Sequence, residues 1–166
     1  MEQGLIQVYS GDGHGKSAAA LGKAMQIAGT GKNVVIINFL KGNQNEEYLK
    51  RLEPEIKVFR FEKSEEEFAQ LSEEHKQEEI HNIKNGLNFA KKVLTTGECS
   101  LLILDEVLGL MDNGIITIED LQYILDAKAD DVGIIMTGIH LNDAVCQIAD
   151  EIFQIEPVNY KIFQEK

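Results

Sequence analysis

The chain has 166 residues, with 28 acidic against 16 basic side chains and a formal net charge of −12. That balance argues against sequence-independent binding to nucleic acid or to an anionic membrane surface, both of which need basic patches. The length suits one domain with a substantial core, so residues 1–166 are expected to form a single unit. No apolar run reaches membrane-spanning length and no signal-peptide pattern precedes the first strand, so a soluble cytoplasmic protein is expected. The two cysteines, Cys99 and Cys146, lack metal-ligand spacing and read as reduced core or near-core thiols.

In chain order, a short apolar strand from Leu5 to Tyr9 runs into Ser10-Gly11-Asp12-Gly13-His14-Gly15-Lys16-Ser17, and an alanine-rich helix follows to about Ala28. Strand, glycine loop, helix is the context a phosphate-binding loop requires. The glycines let backbone N–H groups converge on an anion at a helix N-terminus, where the macrodipole also favours negative charge. Lys16 adds a full positive charge, and Ser17 a hydroxyl suited to Mg²⁺. The general pattern G-x-x-x-x-G-K-[ST] has glycine where Ser10 stands, so the strict match fails by one residue, while Gly11, Gly13 and Gly15 alternate instead. Residues Ser10, Gly11, Asp12, Gly13, His14, Gly15, Lys16 and Ser17 are the candidate nucleotide-binding set.

Asn33 to Phe39 is a nearly continuous β-branched run, the pattern of a strand buried on both faces of a parallel sheet. Its carboxyl end leads into Leu40-Lys41-Gly42-Asn43. Ligands of open α/β sheets sit beyond the carboxyl ends of strands, so Lys41 is a candidate nucleotide contact, and equally a solvated lysine. A short helix from Glu46 to Leu52 stops at Pro54, and Ile56 to Phe61 reads as a strand nearer a sheet edge. Ser64 with Glu67 suggests a capping box for a helix carrying Phe68 and Leu71. A long helix from Glu73 to Leu94 carries Ile80, Ile83, Leu87, Ala90 and Leu94 on one stripe, and the acidic run from Glu65 to Glu79 reads as its solvated face.

Ser100 to Leu104 is a buried strand closing on Asp105-Glu106, the natural second half of a phosphate-loop site. Ser17, Asp105 and Glu106 are the candidate Mg²⁺ residues; the competing reading makes Asp105 a helix cap. Thr117 and Asp120 start a further helix, Val132 to Met136 is a buried strand ending at Thr137-Gly138, Asn142 to Ile148 is a short helix, and Glu151 to Ile155 is a last strand. Strands alternate with helices throughout, so the expected fold is an α/β three-layer sandwich with a mostly parallel sheet, like that of P-loop NTPases.

These motifs together resemble the ATP:corrinoid adenosyltransferases, from Ile6 to about Phe163. The family's T-G-N-G-K-G-K-T-T-A-A stands here as Ser10 to Ala20, its Q-F-I-K-G as Asn38 to Gly42, and its L-D-E as Leu104-Asp105-Glu106. Its T-G-R matches Thr137-Gly138 and breaks at Ile139; its A-D is Ala149-Asp150, and its P-V-K-H is Pro157-Val158-Asn159-Tyr160. The missing first glycine is normal in that family. The resemblance implies ATP and a corrinoid as substrates, Mg²⁺, a homodimer and no general base, because the corrinoid's cobalt(I) is itself the nucleophile that displaces triphosphate from the ribose 5′-carbon.

The departures subtract positive charge. His14 stands for a lysine, Ile139 for an arginine, and Asn159-Tyr160 for Lys-His, while Ala18 replaces a second threonine. The longer family members carry terminal extensions that help cover the corrinoid, and less such cover is expected here. Two alternatives stay open on the residues alone: another small P-loop ATPase or kinase, and a nucleotide-binding protein without catalysis derived from the transferase.

Overall fold

The computed structural model describes residues 3–40 and 47–161. Its strands are β1 (Ile6–Ser10), β2 (Val34–Asn38), β3 (Ile56–Arg60), β4 (Leu101–Asp105), β5 (Gly133–Gly138) and β6 (Glu151–Gln154). They form one six-stranded sheet in the order β3-β2-β4-β5-β1-β6, every pairing parallel. The helices are α1 (Gly15–Ala28), α2 (Glu73–Thr96), α3 (Val107–Asp112), α4 (Ile118–Leu125) and α5 (Asp143–Ile148).

Period-two alternation splits each buried strand between two cores. On β4, Leu101 and Ile103 pack with Ala20 and Ala24 of α1. Leu102 and Leu104 face the other way, into a larger core with Ile83, Leu87 and Ala90 of α2 and Leu121 and Ile124 of α4. The result is the expected three layers. The central β2 and β4 are buried at every residue, whereas β6 at one edge is exposed at all four of its residues. β3 holds the opposite edge, as its interleaved polar residues foretold.

Two expectations about the α2 region fail. Ser64 and Glu67 form no capping box: Ser64 Oγ accepts from the N–H of Glu66, and only a single 3-10 turn, Phe68–Gln70, follows. Both residues flanking that turn are extended, so no helix propagates through it. The residue that caps α2 is Ser72, whose side chain accepts from the His75 N–H. Nor is the acidic run wholly solvated. Glu79 is only 5 % exposed. Its Oε1 accepts from the Lys63 N–H and from the Asn82 amide, while Oε2 has no hydrogen-bond partner.

Both cysteines are free thiols, as read from their spacing. Burial pushes the Cys99 thiol up to about 11.

Gly138 ends β5 where α3 crosses closely. A methyl group on Gly138 would lie 2.3 Å from Leu108 Cβ, an impossible approach without a shift of α3. Gly138→Ala is therefore expected to destabilise the protein by about 1–3 kcal/mol, the usual cost of overpacking. Chemical denaturation with an unchanged slope and a lower midpoint checks it.

Candidate nucleotide site at the strand ends

The carboxyl ends of β1, β2, β4 and β5 gather the chemistry. The loop between β1 and α1 is braced from two sides: the Gly11 N–H donates to the Gly138 carbonyl at 3.1 Å, and the Ile155 N–H to the Ser10 carbonyl at 2.7 Å. The alternating glycines have a local cause. A Cβ on Gly11, at φ 137°, would strike the Ile155 carbonyl oxygen at 2.0 Å, and one on Gly15 would approach Ile155 Cγ2 at 2.8 Å. The segment leaving β6 therefore lies too close to the loop for any larger residue.

Lys16 starts α1 and is almost fully buried. Its Nζ sits 2.8 Å from Glu106 Oε1 and donates to the Gly13 carbonyl at 3.1 Å. Ser17 Oγ donates to Asp105 Oδ1 at 3.0 Å, and the same oxygen accepts from the Thr137 hydroxyl. Thr137 is fully buried, and its Oγ1 in turn accepts the Glu106 N–H at 2.7 Å. Glu106 needs that anchor, since it sits at φ 63°, a left-handed conformation costing a non-glycine residue of order 1–3 kcal/mol.

A cavity of about 550 Å³ opens on this cluster. Of the loop residues expected to bind nucleotide, Gly13, His14, Lys16 and Ser17 line it. Ser10, Gly11, Asp12 and Gly15 are not among its lining residues; Ser10 and Gly11 instead hold the loop in shape. Asp105 and Glu106 line it too, so the three residues assigned to Mg²⁺ converge, with Glu106 paired to Lys16. Lys41 lies outside the described residues.

Sequence reasoning missed several wall residues: Leu40, Tyr48 and Leu49 beyond β2, and Thr137 as a site residue. Thr137 was visible only as part of a motif; its two hydrogen bonds, to the Asp105 carboxylate and from the Glu106 N–H, depend on β5 pairing with β4. Within the Ala149-Asp150 pair, Asp150 Oδ2 accepts the Ile6 N–H at 2.8 Å and ties down the start of β1.

A family model described as ATP:corrinoid adenosyltransferase BtuR/CobO/CobP matches residues 2–166. The chain belongs to this family. Corrinoid adenosyltransferases of Escherichia coli K12 and Salmonella typhimurium LT2 are each 24 % identical to it over 159 residues, covering 96 % of this chain and 80 % of theirs. A KaiC-like protein from Pyrococcus horikoshii shares the fold at a TM-score of 0.59 and 16 % identity, over 93 % of this chain and 73 % of its own. Membership makes this chain a divergent transferase with a P-loop fold, and the loop, the acidic strand end and the braced glycines are the parts of that family present in it.

One wall residue is held by a titrating group. Leu40 sits at φ 53°, and its N–H donates to Glu62 Oε1 at 2.7 Å. Burial raises the Glu62 pKa above its ordinary 4.5, the Leu40 N–H opposes this, the Glu79 charge adds to it, and Arg60 opposes it. A raised folded value means the folded state holds the proton more tightly than the unfolded chain. Glu62 thus favours folding fully below pH 4.5, and that contribution is lost as pH rises through the raised value. Glu62→Gln keeps the acceptor for Leu40 and removes the titration. Its melting temperature is expected to decline less than that of the unmodified chain from pH 4.5 toward neutrality, as followed by circular dichroism.

Proposed function

We propose that this chain transfers the 5′-deoxyadenosyl group of ATP to the cobalt(I) of a corrinoid and releases triphosphate, with residues 1–166 acting as one catalytic domain. The observation that carries the reading is the junction of Lys16, Ser17, Asp105 and Glu106 at one cavity wall, within a chain of this family. The cobalt brings its own electron pair, so the protein need not supply a nucleophile or a base. The work left to it is to orient the ribose carbon toward the metal and to accommodate the charge that grows on the departing triphosphate.

Lys16 suits that second task. Its charge is held by Glu106 and the Gly13 carbonyl, and a polyphosphate arriving at the loop competes with Glu106 for it. The oxygen donors fit Mg²⁺: the Ser17 hydroxyl and the Asp105 carboxylate already meet at 3.0 Å, and Glu106 follows Asp105 in the chain. Among the described residues no group of three or more His, Cys, Asp or Glu side chains is placed to hold a metal ion, so an ion at this pair would take most of its oxygens from phosphate and water. When bound there, Mg²⁺ would neutralise triphosphate charge. His14 and Ile139 also face the cavity, one at the loop and the other after β5, where the family has lysine and arginine.

The same Ile139 favours a second reading, nucleotide binding without transfer, because a side chain that is 43 % exposed at the cavity wall offers no charge to an anionic substrate. A homodimer and a cytoplasmic setting complete the proposal; no described helix is long and apolar enough to cross a membrane. Mg-ATP with chemically reduced corrinoid separates the readings. Adenosylcorrinoid with triphosphate is the expected product, ADP with phosphate would indicate an ATPase or kinase, and binding with no turnover the second reading.

Lys16→Ala is expected to weaken ATP binding by tenfold to roughly a hundredfold, in line with about 1.5–3 kcal/mol for a charge-assisted hydrogen bond, by calorimetry. Unchanged affinity would remove the loop from the nucleotide site. Ile139→Arg is expected to raise transfer rate in the spectrophotometric assay, and no gain would detach that position from the substrate.

A further inference from the structure

The cavity has two unlike parts. Lys16, Ser17, Asp105 and Glu106 make the polar one. The other follows the elements away from the loop: Ile103 lies two residues back from Asp105 on the same face of β4, and Leu21 lies one turn beyond Ser17 on α1. Tyr48 and Leu49 add to it from the 3-10 helix Glu47–Leu52 that follows β2. Leu49 is 7 % exposed and anchors that helix, yet its neighbour Tyr48 is 60 % exposed while still forming cavity wall. Tyr48 thus borders the cavity and keeps open surface available to a second ring.

Triphosphate charge cannot be held by the apolar part, whereas the π-faces of a base pack there without a charged partner. The volume of about 550 Å³ falls in the range of a single small ligand. Resting on the nucleotide-site reading above, we infer that Tyr48 is a base-binding residue, on which the adenine of ATP stacks while Leu49 and Leu21 close its edge. The phosphate loop grips any polyphosphate alike, so affinity for the nucleoside end comes from this wall. A π-face accepts every base, so selectivity among purines is expected to be slight.

The test compares Mg-ATP with Mg-tripolyphosphate, which has no base, on the full chain by calorimetry. Tyr48→Ala is expected to lower ATP affinity about tenfold and to leave tripolyphosphate affinity unchanged, with Tyr48→Phe retaining ATP binding. Because the chain has no tryptophan, Tyr48→Trp also installs a unique fluorophore, expected to be quenched by ATP and not by tripolyphosphate. Equal ATP affinity in Tyr48→Ala, or an equal loss for both ligands, overturns the assignment. So does an unchanged ATP affinity with a raised corrinoid KM, which would give the ring to the other substrate. If the unmodified chain binds neither ATP nor tripolyphosphate, the nucleotide-site reading itself falls.

Discussion

Asp105 Oδ1 is the point at which the site is assembled. Two hydroxyls converge on it, one from Ser17 at the start of α1 and one from Thr137 near the end of β5. Through that oxygen the phosphate loop, the acidic strand end and the neighbouring strand are fixed relative to one another. Thr137 extends the joint to the Glu106 N–H, which holds a strained backbone in the one conformation that aims its carboxylate at Lys16. Removing that acceptor leaves the hydroxyl of the fully buried Thr137 with no carboxylate to donate to, a loss of about 1–3 kcal/mol for a buried group.

Beside this joint lies a buried ion pair. Lys16 is buried, and a buried ammonium without a counter-ion is strongly disfavoured; Glu106 and the Gly13 carbonyl supply the compensation.

Much of this was legible in the sequence, for physical reasons that differ by residue. The strands β2, β4 and β5 were found because apolar runs buried on both faces leave little ambiguity, and the loop because strand, glycines and Lys-Ser have few other uses. The parallel sheet followed from alternation of strands and helices. Local signals alone misled at Ser64, where a serine and a glutamate at capping spacing serve a turn with extended flanks, and at Glu79, whose burial is decided by the packing of α2 against the segment after β3. Tyr48, Leu40 and Thr137 could not be read as site residues, since the first two reach the cavity only through the path of the chain beyond β2 and Thr137 meets Asp105 and Glu106 only through sheet order.

β6 is the outermost strand beside β1, its side chains are exposed throughout, and Ile155, which follows it immediately, is the residue that presses on Gly11 and Gly15. Local opening free energies within one protein range from near zero to the global value, and edges with few buried contacts lie at the low end. The phosphate loop is thus clamped by the part of the sheet most prone to peel away. Fraying of β6 would release the clamp while both cores stayed shut, so on warming, hydrogen exchange should quicken in β1, β6 and the loop well below the melting point. Competence for ATP would then have a narrower temperature range than the fold that carries it.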